Sequence, residues 1–301
     1  AKKVAEQFSF PHFTYDYQDR FFSGVIDNFV ETYAKGETPV PCINCNQTVK
    51  FTDLLQEAKN MNADTLVTGH YARREGSSNN ATLYKAKDIN KDQSYFLFAT
   101  LKEQLNFLRF PLGNYLKSEI RSIAKEFNLS VKDKPDSQDI CFVTTNSYRD
   151  LINKLKPELN FEGNFLDIEE NIIGRHKGIA NYTVGQRKGL GVGGLEKPLY
   201  VLKIDKNNNN IYLSEKKHLK KSTVHLRDIN WLGNSTNKSN LKCYAKIRST
   251  QKESPGILNI NNESATFTFD EEIVTTANGQ ACVFYLEDQL LGGGWITKIS
   301  D

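Results

Sequence analysis

Two cysteines separated by two residues, Cys42 and Cys45, stand in the segment PCINCNQTVKF, directly after a proline and ahead of an apolar helical pattern. Such a pair can bind a metal ion, exchange electrons as a dithiol, or act as a nucleophile. Asn46 is the predicted N-cap of the following helix, and the positive end of a helix dipole stabilises a thiolate. We therefore expect the pKa of Cys45 to lie below about 8.5, the value of a free thiol.

The remaining cysteines divide into one candidate reactive thiol and two candidate core residues. Cys141 lies in KPDSQDICFV, close in sequence to Asp136 and Asp139. Cys243 and Cys282 lie inside predicted barrel strands, so we expect both to be buried and inert. Five cysteines in 301 residues are too few for a disulfide framework. A zinc site needs four ligands, and no second CxxC or HxxxH pattern supplies them.

The elements that must hold these thiols alternate between helix and strand over residues 1–146. The runs Phe13–Tyr17 and Asp64–Gly69 are short, apolar or β-branched, and predict strands. Strands separated by helices predict an α/β domain with a doubly wound parallel sheet. The helices are predicted from apolar stripes at helical spacing: Phe21, Phe22, Val25, Ile26, Phe29, Val30 and Tyr33; Phe51, Leu54, Leu55 and Ala58; Leu116, Ile120, Ile123 and Phe127.

Two further domains are predicted behind the first. Residues 147–215 combine a helix, a glycine-rich basic loop and the strand pair PLYVLKID and NIYLSE, which predicts a small central α+β module. Residues 216–301 contain LKCYAKIRS, SATFTFD, ACVFYL and LGGGWITKI between turns, which predicts an antiparallel β-barrel. Gly189, Gly191 and Gly194 have the spacing of a dinucleotide fingerprint, but no strand precedes them and Pro198 follows, so this interpretation is rejected.

Charge is distributed unevenly, although the formal net charge is only +3. Two stretches, Ile172–Leu195 and Lys216–Arg227, contain basic residues and no acid. They fit either an RNA backbone or an ordinary solvated surface. No apolar run approaches the roughly 18 residues of a membrane span. Neither a membrane partner nor secretion is expected, and a cytoplasmic location is the default.

Seven motifs occur in an order that resembles the bacterial tRNA-specific 2-thiouridylases: PCINCNQTVKF, TGHYAR, KDQSYFL, DSQDICF, GIANYTVGQRKGLGV, GQACVFY and LGGGWI. The resemblance covers nearly the whole chain. It implies a PP-loop ATP pyrophosphatase domain, a central tRNA-binding module and a C-terminal barrel. The implied reaction is ATP-dependent, with Mg²⁺, and transfers sulfur to C2 of the wobble uridine. The implied partners are the tRNAs for lysine, glutamate and glutamine, and a sulfur donor such as a cysteine desulfurase or a sulfur-relay protein.

The resemblance also assigns roles to the thiols. Cys141 would carry the incoming sulfur as a persulfide, and Cys45 would release that sulfur or close a disulfide with Cys141. Val40, Pro41 and Cys42 would face the target base. An alternative, which we favour less, has Cys42, Cys45 and Cys141 holding three irons of a [4Fe-4S] cluster.

Other positions are assigned by the same resemblance. Gly69 matches a nucleotide-binding glycine that follows a strand. The positions implied to contact tRNA are His70, Lys91, Asp92, Gln93, Arg248, Ser249 and Gln280.

The chain departs from the family pattern in three places. Val40 replaces a usual Asn, and Cys42 stands where some relatives have Asp. The SGGxDSS loop that cradles the ATP pyrophosphate does not occur in these 301 residues. By analogy with the family, roughly 60 residues are expected to precede the chain, and without them we expect no activation of uridine. Two other functions stay open: an RNA-binding remnant without catalysis, and a thiol oxidoreductase built on CINC.

Overall fold

The computed structural model describes residues 1–301 except 78, 134–139, 144–147, 194–196 and 235–237. Asp136, Asp139 and Gly194, which were singled out above, lie outside the described residues.

Helices dominate the first 126 residues. π-helical turns at Phe22–Ile26 and Asn46–Leu54 join α2 to α3 and α4 to α5, so each pair forms one continuous rod. All three predicted helical stripes are confirmed. The α-helices in the described residues are α1 Lys2–Phe8, α2 Gln18–Phe21, α3 Asp27–Ala34, α4 Pro41–Cys45, α5 Leu55–Asn60, α6 Lys102–Phe107, α7 Lys117–Glu126 and α8 Tyr148–Leu155.

The predicted parallel sheet is confirmed by the strands β1 (Leu66–Val67) and β4 (Leu108–Arg109), which pair in parallel with Leu66 opposite Leu108. The predicted strand at Phe13–Tyr17 is wrong. This segment is irregular, and Phe13 and Tyr15 are exposed. Its aromatic residues have a high β-propensity, but that propensity forms a strand only where a partner strand accepts the backbone hydrogen bonds.

The C-terminal part is a six-stranded antiparallel barrel that closes through the pairing of the fifth strand with the sixth. All four strands predicted here are confirmed, and two more, β9 and β11, complete the barrel. Two short strands of the N-terminal domain extend the same sheet beyond its last strand. The barrel strands are β9 Lys220–Trp231, β10 Leu241–Lys246, β11 Ser254–Asn261, β12 Ser264–Val274, β13 Ala281–Leu286 and β14 Gln289–Ser300, and the extension is β2 Arg73–Glu75 and β3 Thr82–Tyr84.

The central module contains its own four-stranded sheet in the order β6-β5-β8-β7. Its first and fourth strands along the chain form the inner pair, and the second and third lie at the edges. Both predicted strands are confirmed as β7 and β8. The glycine-rich loop precedes β7, and Gly189 and Gly191 adopt positive φ there. The described residues between Gly191 and β7 contain no helix, in keeping with the rejection of the dinucleotide fingerprint. The strands are β5 Gly163–Leu166, β6 Ile172–His176, β7 Tyr200–Asp205 and β8 Asn210–Ser214.

Apolar contacts connect the three parts. Phe29 and Tyr33 of α3 lie in one buried cluster with Ile152 of α8 and with Ala180 of the central module. The largest cluster joins the helices around Phe51 to barrel residues such as Val283. Within the described residues, no helix combines the length and the apolar composition that crossing a membrane requires.

Candidate active site

The CxxC pair lies within a helix and not ahead of one. Pro41 occupies the first turn of α4, where its fixed φ and missing N–H suit a helix start. Cys45 is the last residue of α4, and the chain continues as a π-helix without a break. The predicted N-cap role of Asn46 is therefore wrong, because Asn46 has helical backbone angles and a buried side chain.

Desolvation of the sulfur atoms is the largest influence and raises the pKa of both thiols above the ordinary value, although Cys42 as a residue is exposed and Cys45 is half-buried. The expected lowering of the pKa of Cys45 is consequently wrong: the helix start lies four residues away at Pro41, and desolvation penalises the thiolate. The ammonium group of Lys50 acts in the opposite direction and lowers the pKa of Cys42 and of Cys45. Both thiols are therefore protonated at neutral pH, and the ammonium group of Lys50 beside them favours their deprotonated form.

Cys141 lies within electrostatic range of both cysteines of the pair, since its charge raises the pKa of Cys42 and of Cys45. The residue that follows it, Phe142, makes edge contacts with Phe21 at 5.7 Å and with Phe29 at 5.4 Å between ring centroids. These contacts hold the Cys141 turn against the helical rod of α2 and α3. All three thiols are free.

The geometry gives no support to a cluster. Among the residues with described positions, no group of three or more His, Cys, Asp or Glu side chains is arranged to hold a metal ion. We therefore derive no step through iron. The two barrel cysteines are buried, and burial raises the pKa of Cys243 to about 12 and also raises that of Cys282. Their predicted role as inert core residues agrees with this environment.

Lys50 is held beside the thiols by a tether of side-chain hydrogen bonds. Its Nζ donates to Oδ1 of Asn46 at 3.0 Å. Asn46 is 3% exposed, and its Nδ2 donates to the carbonyl of Phe96 at 3.0 Å. Both polar ends of the buried amide are thus satisfied, and the ammonium stays one helical turn after Cys45.

Gly69 and His70 follow β1 at the carboxyl end of the parallel strands, the edge where ligands bind in open α/β sheets. A Cβ atom at Gly69 would meet only Leu112, at an ordinary 3.7 Å. The fold does not itself require glycine here, so the bare backbone is free for a ligand to approach. The pKa of His70 is lowered to about 4, first by burial and then by Lys50, so its imidazole is neutral near pH 7.

The segment Lys91–Gln93 is held largely by inward hydrogen bonds. Oδ1 of Asp92 accepts from the backbone N–H groups of Ala86 at 3.0 Å and of Ser94 at 3.2 Å. Oε1 of Gln93 accepts from the backbone N–H of Tyr71 at 2.9 Å. The carboxylate and the amide therefore shape this turn beside the strand-end residues. That the segment contacts tRNA stays a prediction.

Arg248, Ser249 and Gln280 lie together at one end of the barrel. Arg248 donates to the carbonyl of Thr275 at 2.7 Å and to Oγ1 of Thr276 at 3.2 Å, and burial lowers its pKa. Arg248 and Gln280 face Gln186 of the central module across a cleft of about 370 Å³. The next residues of that module, Arg187 and Lys188, are exposed. The structure thus places the basic loop opposite the predicted barrel contacts.

Three family models match the chain in succession. They are the tRNA methyl transferase HUP domain over residues 1–145, the tRNA methyl transferase PRC-barrel domain over 149–215, and the Aminomethyltransferase beta-barrel domain over 221–296. A protein of Ehrlichia ruminantium (strain Gardel) named tRNA-specific 2-thiouridylase MnmA is 47% identical over 298 residues, covering 98% of this chain and 80% of the relative. The chain belongs to the tRNA-specific 2-thiouridylase family.

Other 2-thiouridylases match equally broadly. The protein of that name from Roseobacter denitrificans is 46% identical over 304 residues, covering 99% of this chain and 80% of the relative. The one from Rickettsia prowazekii is 46% identical over 300 residues, covering 99% of this chain and 84% of the relative. The resemblance inferred from the seven motifs is confirmed, as is the predicted fold class with its three-part architecture.

Sequence reasoning missed two residues of this candidate site: Lys50, and Asn46 as the partner that holds Lys50. Part of the signal was present in PCINCNQTVKF, because Pro41 marks a helix start, and residues four apart on a helix are neighbours. Extending the helix back to Pro41 would have put Lys50 on the side of Asn46. The π-helical turn over Asn46–Leu54, which also turns Lys50 toward Cys45, has no such signal. The proximity to Cys141, 96 residues after Cys45, leaves no such local signal.

Proposed function

We propose that this protein is a tRNA-uridine 2-sulfurtransferase that uses ATP and thiolates C2 of the wobble uridine. The observation that carries the proposal is that Cys141 lies within electrostatic range of Cys42 and Cys45, in a chain of the 2-thiouridylase family. Gly69 and the strand ends beside it support a nucleotide site next to these thiols.

The chemistry follows from the poor leaving group of uridine. ATP would transfer AMP to the C2 oxygen with release of pyrophosphate, Mg²⁺ neutralising the phosphates. The terminal sulfur of a Cys141 persulfide would then attack C2 and expel AMP, leaving the base joined to Cys141 through a disulfide bond. The Cys45 thiolate would attack Sγ of Cys141, which releases the 2-thiouridine thiolate and forms a Cys45–Cys141 disulfide. A thiol reductant would supply the two electrons that restore both cysteines.

The substrates and partners belong to the same proposal. The tRNAs for lysine, glutamate and glutamine are the proposed substrates, and a cysteine desulfurase or a sulfur-relay protein is the proposed sulfur donor, acting in the cytoplasm. His70, Lys91, Asp92, Gln93, Arg248, Ser249 and Gln280 are proposed to contact the tRNA, with Val40, Pro41 and Cys42 at the target base. The exposed Arg187 and Lys188 across the cleft from Arg248 support an RNA surface there.

The test replaces the three thiols one at a time and measures 2-thiouridine in tRNA by mass spectrometry, in the intact enzyme with ATP and a sulfur donor. Cys45→Ser and Cys141→Ser should each abolish the product, because one thiol carries the sulfur and the other releases it. Cys42→Ser should retain a substantial fraction and serves as the matched control. Loss of all activity in Cys42→Ser together with iron-dependent turnover would favour the cluster instead. Dithiol exchange without any tRNA product would favour an oxidoreductase.

A further inference from the structure

A polar cleft of about 240 Å³ lies beside the CxxC helix and is lined by residues of both the N-terminal domain and the barrel. Asn28 of α3 and Asn44 of α4 form one side, and Trp295 of β14 forms another. The volume is below the roughly 300 to 1,000 Å³ of pockets for drug-sized ligands. It suits a group of the size of a single nucleobase.

The two asparagines form an amide pair with an open edge. Nδ2 of Asn44 donates to Oδ1 of Asn28 at 2.6 Å. Within the part of the chain that the structure describes, Nδ2 of Asn28 and Oδ1 of Asn44 make no hydrogen bond. The pair therefore presents a free donor and a free acceptor next to each other. Nucleobases carry adjacent donors and acceptors on their edges, and amide side chains pair with such edges.

The charge of the lining distinguishes a base from a phosphate. Lys35 and Arg227 contribute two cations, and Glu37 and Asp228 contribute two carboxylates. Arg227 is already paired with Asp228, at 2.7 Å. A lining with no net charge gives little attraction for a phosphate, whereas it is compatible with a neutral base. An aromatic ring such as that of Trp295 adds a surface on which a base can stack.

The cleft is built from fixed elements. Thr38 donates its backbone N–H to the carbonyl of Asn278 at 2.8 Å, and Gln280 donates from Nε2 to the carbonyl of Thr38 at 3.2 Å. These bonds join the loop before α4 to the barrel turn at the edge of the cleft. Val40, in the segment assigned to the target base, also lines it. The cleft and the target-base segment are therefore neighbours.

We propose that this cleft binds a second, unmodified base of the RNA substrate, one that neighbours the target uridine in the loop. The proposal rests on the proposed function. Asn28 and Asn44 recognise the base edge, and Trp295 covers the base. Holding a neighbouring base would orient the loop so that the target nucleotide reaches the thiols.

The experiment measures the affinity of the intact protein for a synthetic hairpin RNA that copies a tRNA anticodon arm with a wobble uridine. A set of variant hairpins each lacks one loop base. Asn28→Ala and Asn44→Ala should each weaken binding of the complete hairpin about three- to tenfold. Removing one particular base beside the target uridine should weaken binding of the wild-type protein by a similar factor. On that abasic hairpin, the two protein variants should cause no further loss of affinity. The matched control is Asn60→Ala, which removes an amide that pairs with Gln56 at 3.0 Å on α5.

The outcomes separate this proposal from the one it rests on. If the wild type does not bind the hairpin, the proposed function and the base site are both overturned. If the hairpin binds but the losses from Asn28→Ala and from every abasic position add independently, the base site is overturned and the function stands. An equal loss in Asn60→Ala would likewise overturn it. Unchanged circular dichroism and melting temperature in the two variants will show that a loss of binding is not a loss of fold.

Discussion

Lys50 supplies the positive charge that lowers the pKa of Cys42 and of Cys45. The neutral His70 does not supply a positive charge near pH 7, whereas the tethered ammonium of Lys50 lowers the pKa of both Cys42 and Cys45. Burial outweighs it, so both thiols remain protonated at rest. The expectation of a low pKa for Cys45 failed because it depended on Asn46 being an N-cap. Asparagine is common at N-caps, but its amide can also form hydrogen bonds inside a helix, as it does here.

We predict that Lys50→Met raises the pKa of Cys45 further, because the variant removes the nearby cation. The rate of Cys45 alkylation by iodoacetamide at pH 7.5, followed by mass spectrometry in a Cys42→Ser background, should fall about three- to tenfold, since one pKa unit changes the thiolate fraction about tenfold. The whole pH–rate profile should move to higher pH. Lys50→Arg should keep the original profile, because it retains the charge.

The matched control is Lys59→Met, which removes a lysine of α5 whose ammonium lies over the ring of Phe107. It should leave the alkylation rate of Cys45 unchanged. Identical profiles for Lys50→Met and the wild type would contradict the electrostatic role of Lys50.

At the scale of secondary-structure elements, the end of β1 and the start of α4 determine where the candidate site residues lie. The pattern Asp64–Gly69 correctly predicted β1, because β-branched residues next to glycine are typical of a strand end. The 12-residue strand β9 was missed because its lysines and His225 suggested an RNA-binding tract. The alternation that buries Val224 and Leu226 was nevertheless present. The alternation of buried and exposed residues in a charged strand is easily overlooked when its basic residues are interpreted first as a binding surface.

We predict that Gly69→Ala leaves stability nearly unchanged but impairs ATP-dependent turnover. Its backbone is outside the left-handed region and the new Cβ would make only an ordinary contact, so the free energy of unfolding should change by less than about 1 kcal/mol. Gly113→Ala is the contrasting variant, because its Cβ would lie 1.8 Å from the carbonyl oxygen of Ala72. That clash should cost about 1–3 kcal/mol or more.

Thermal unfolding and tRNA-dependent ATP consumption measure the two effects separately. If Gly69→Ala loses as much stability as Gly113→Ala, the strand-end glycine has a structural role, and its assignment to nucleotide binding loses its support.

The N-terminal domain and the barrel form one unit at the scale of the whole molecule. Strand β3 pairs with β14, so the barrel sheet continues into the N-terminal domain. Lys85, only 4% exposed, forms an ion pair with Glu253 of the barrel and donates to the carbonyl of Glu287 at 3.0 Å. No local pattern predicts this junction, because β3 is three residues long and its partner lies about 200 residues later.

We predict an asymmetric response at this junction. Glu253→Ala should cost about 2–4 kcal/mol, because it leaves the buried ammonium of Lys85 without its carboxylate. Lys85→Met should cost less, because the side chain of Glu253 is 27% exposed and can turn toward water. The midpoint of urea unfolding measures both. Equal midpoints for the two variants would contradict the unequal burial of the partners.

The continuous sheet also determines which part of the molecule can move. The central module has a separate sheet, and in the described residues none of its strands pairs with the barrel or with β1 to β4. It meets its neighbours through side chains such as Ala180 against α3. The N-terminal domain and the barrel therefore share one sheet and move together, whereas the central module can move against them. When an RNA enters or leaves, any widening of the cleft between Gln186 and Arg248 has to be a displacement of the central module.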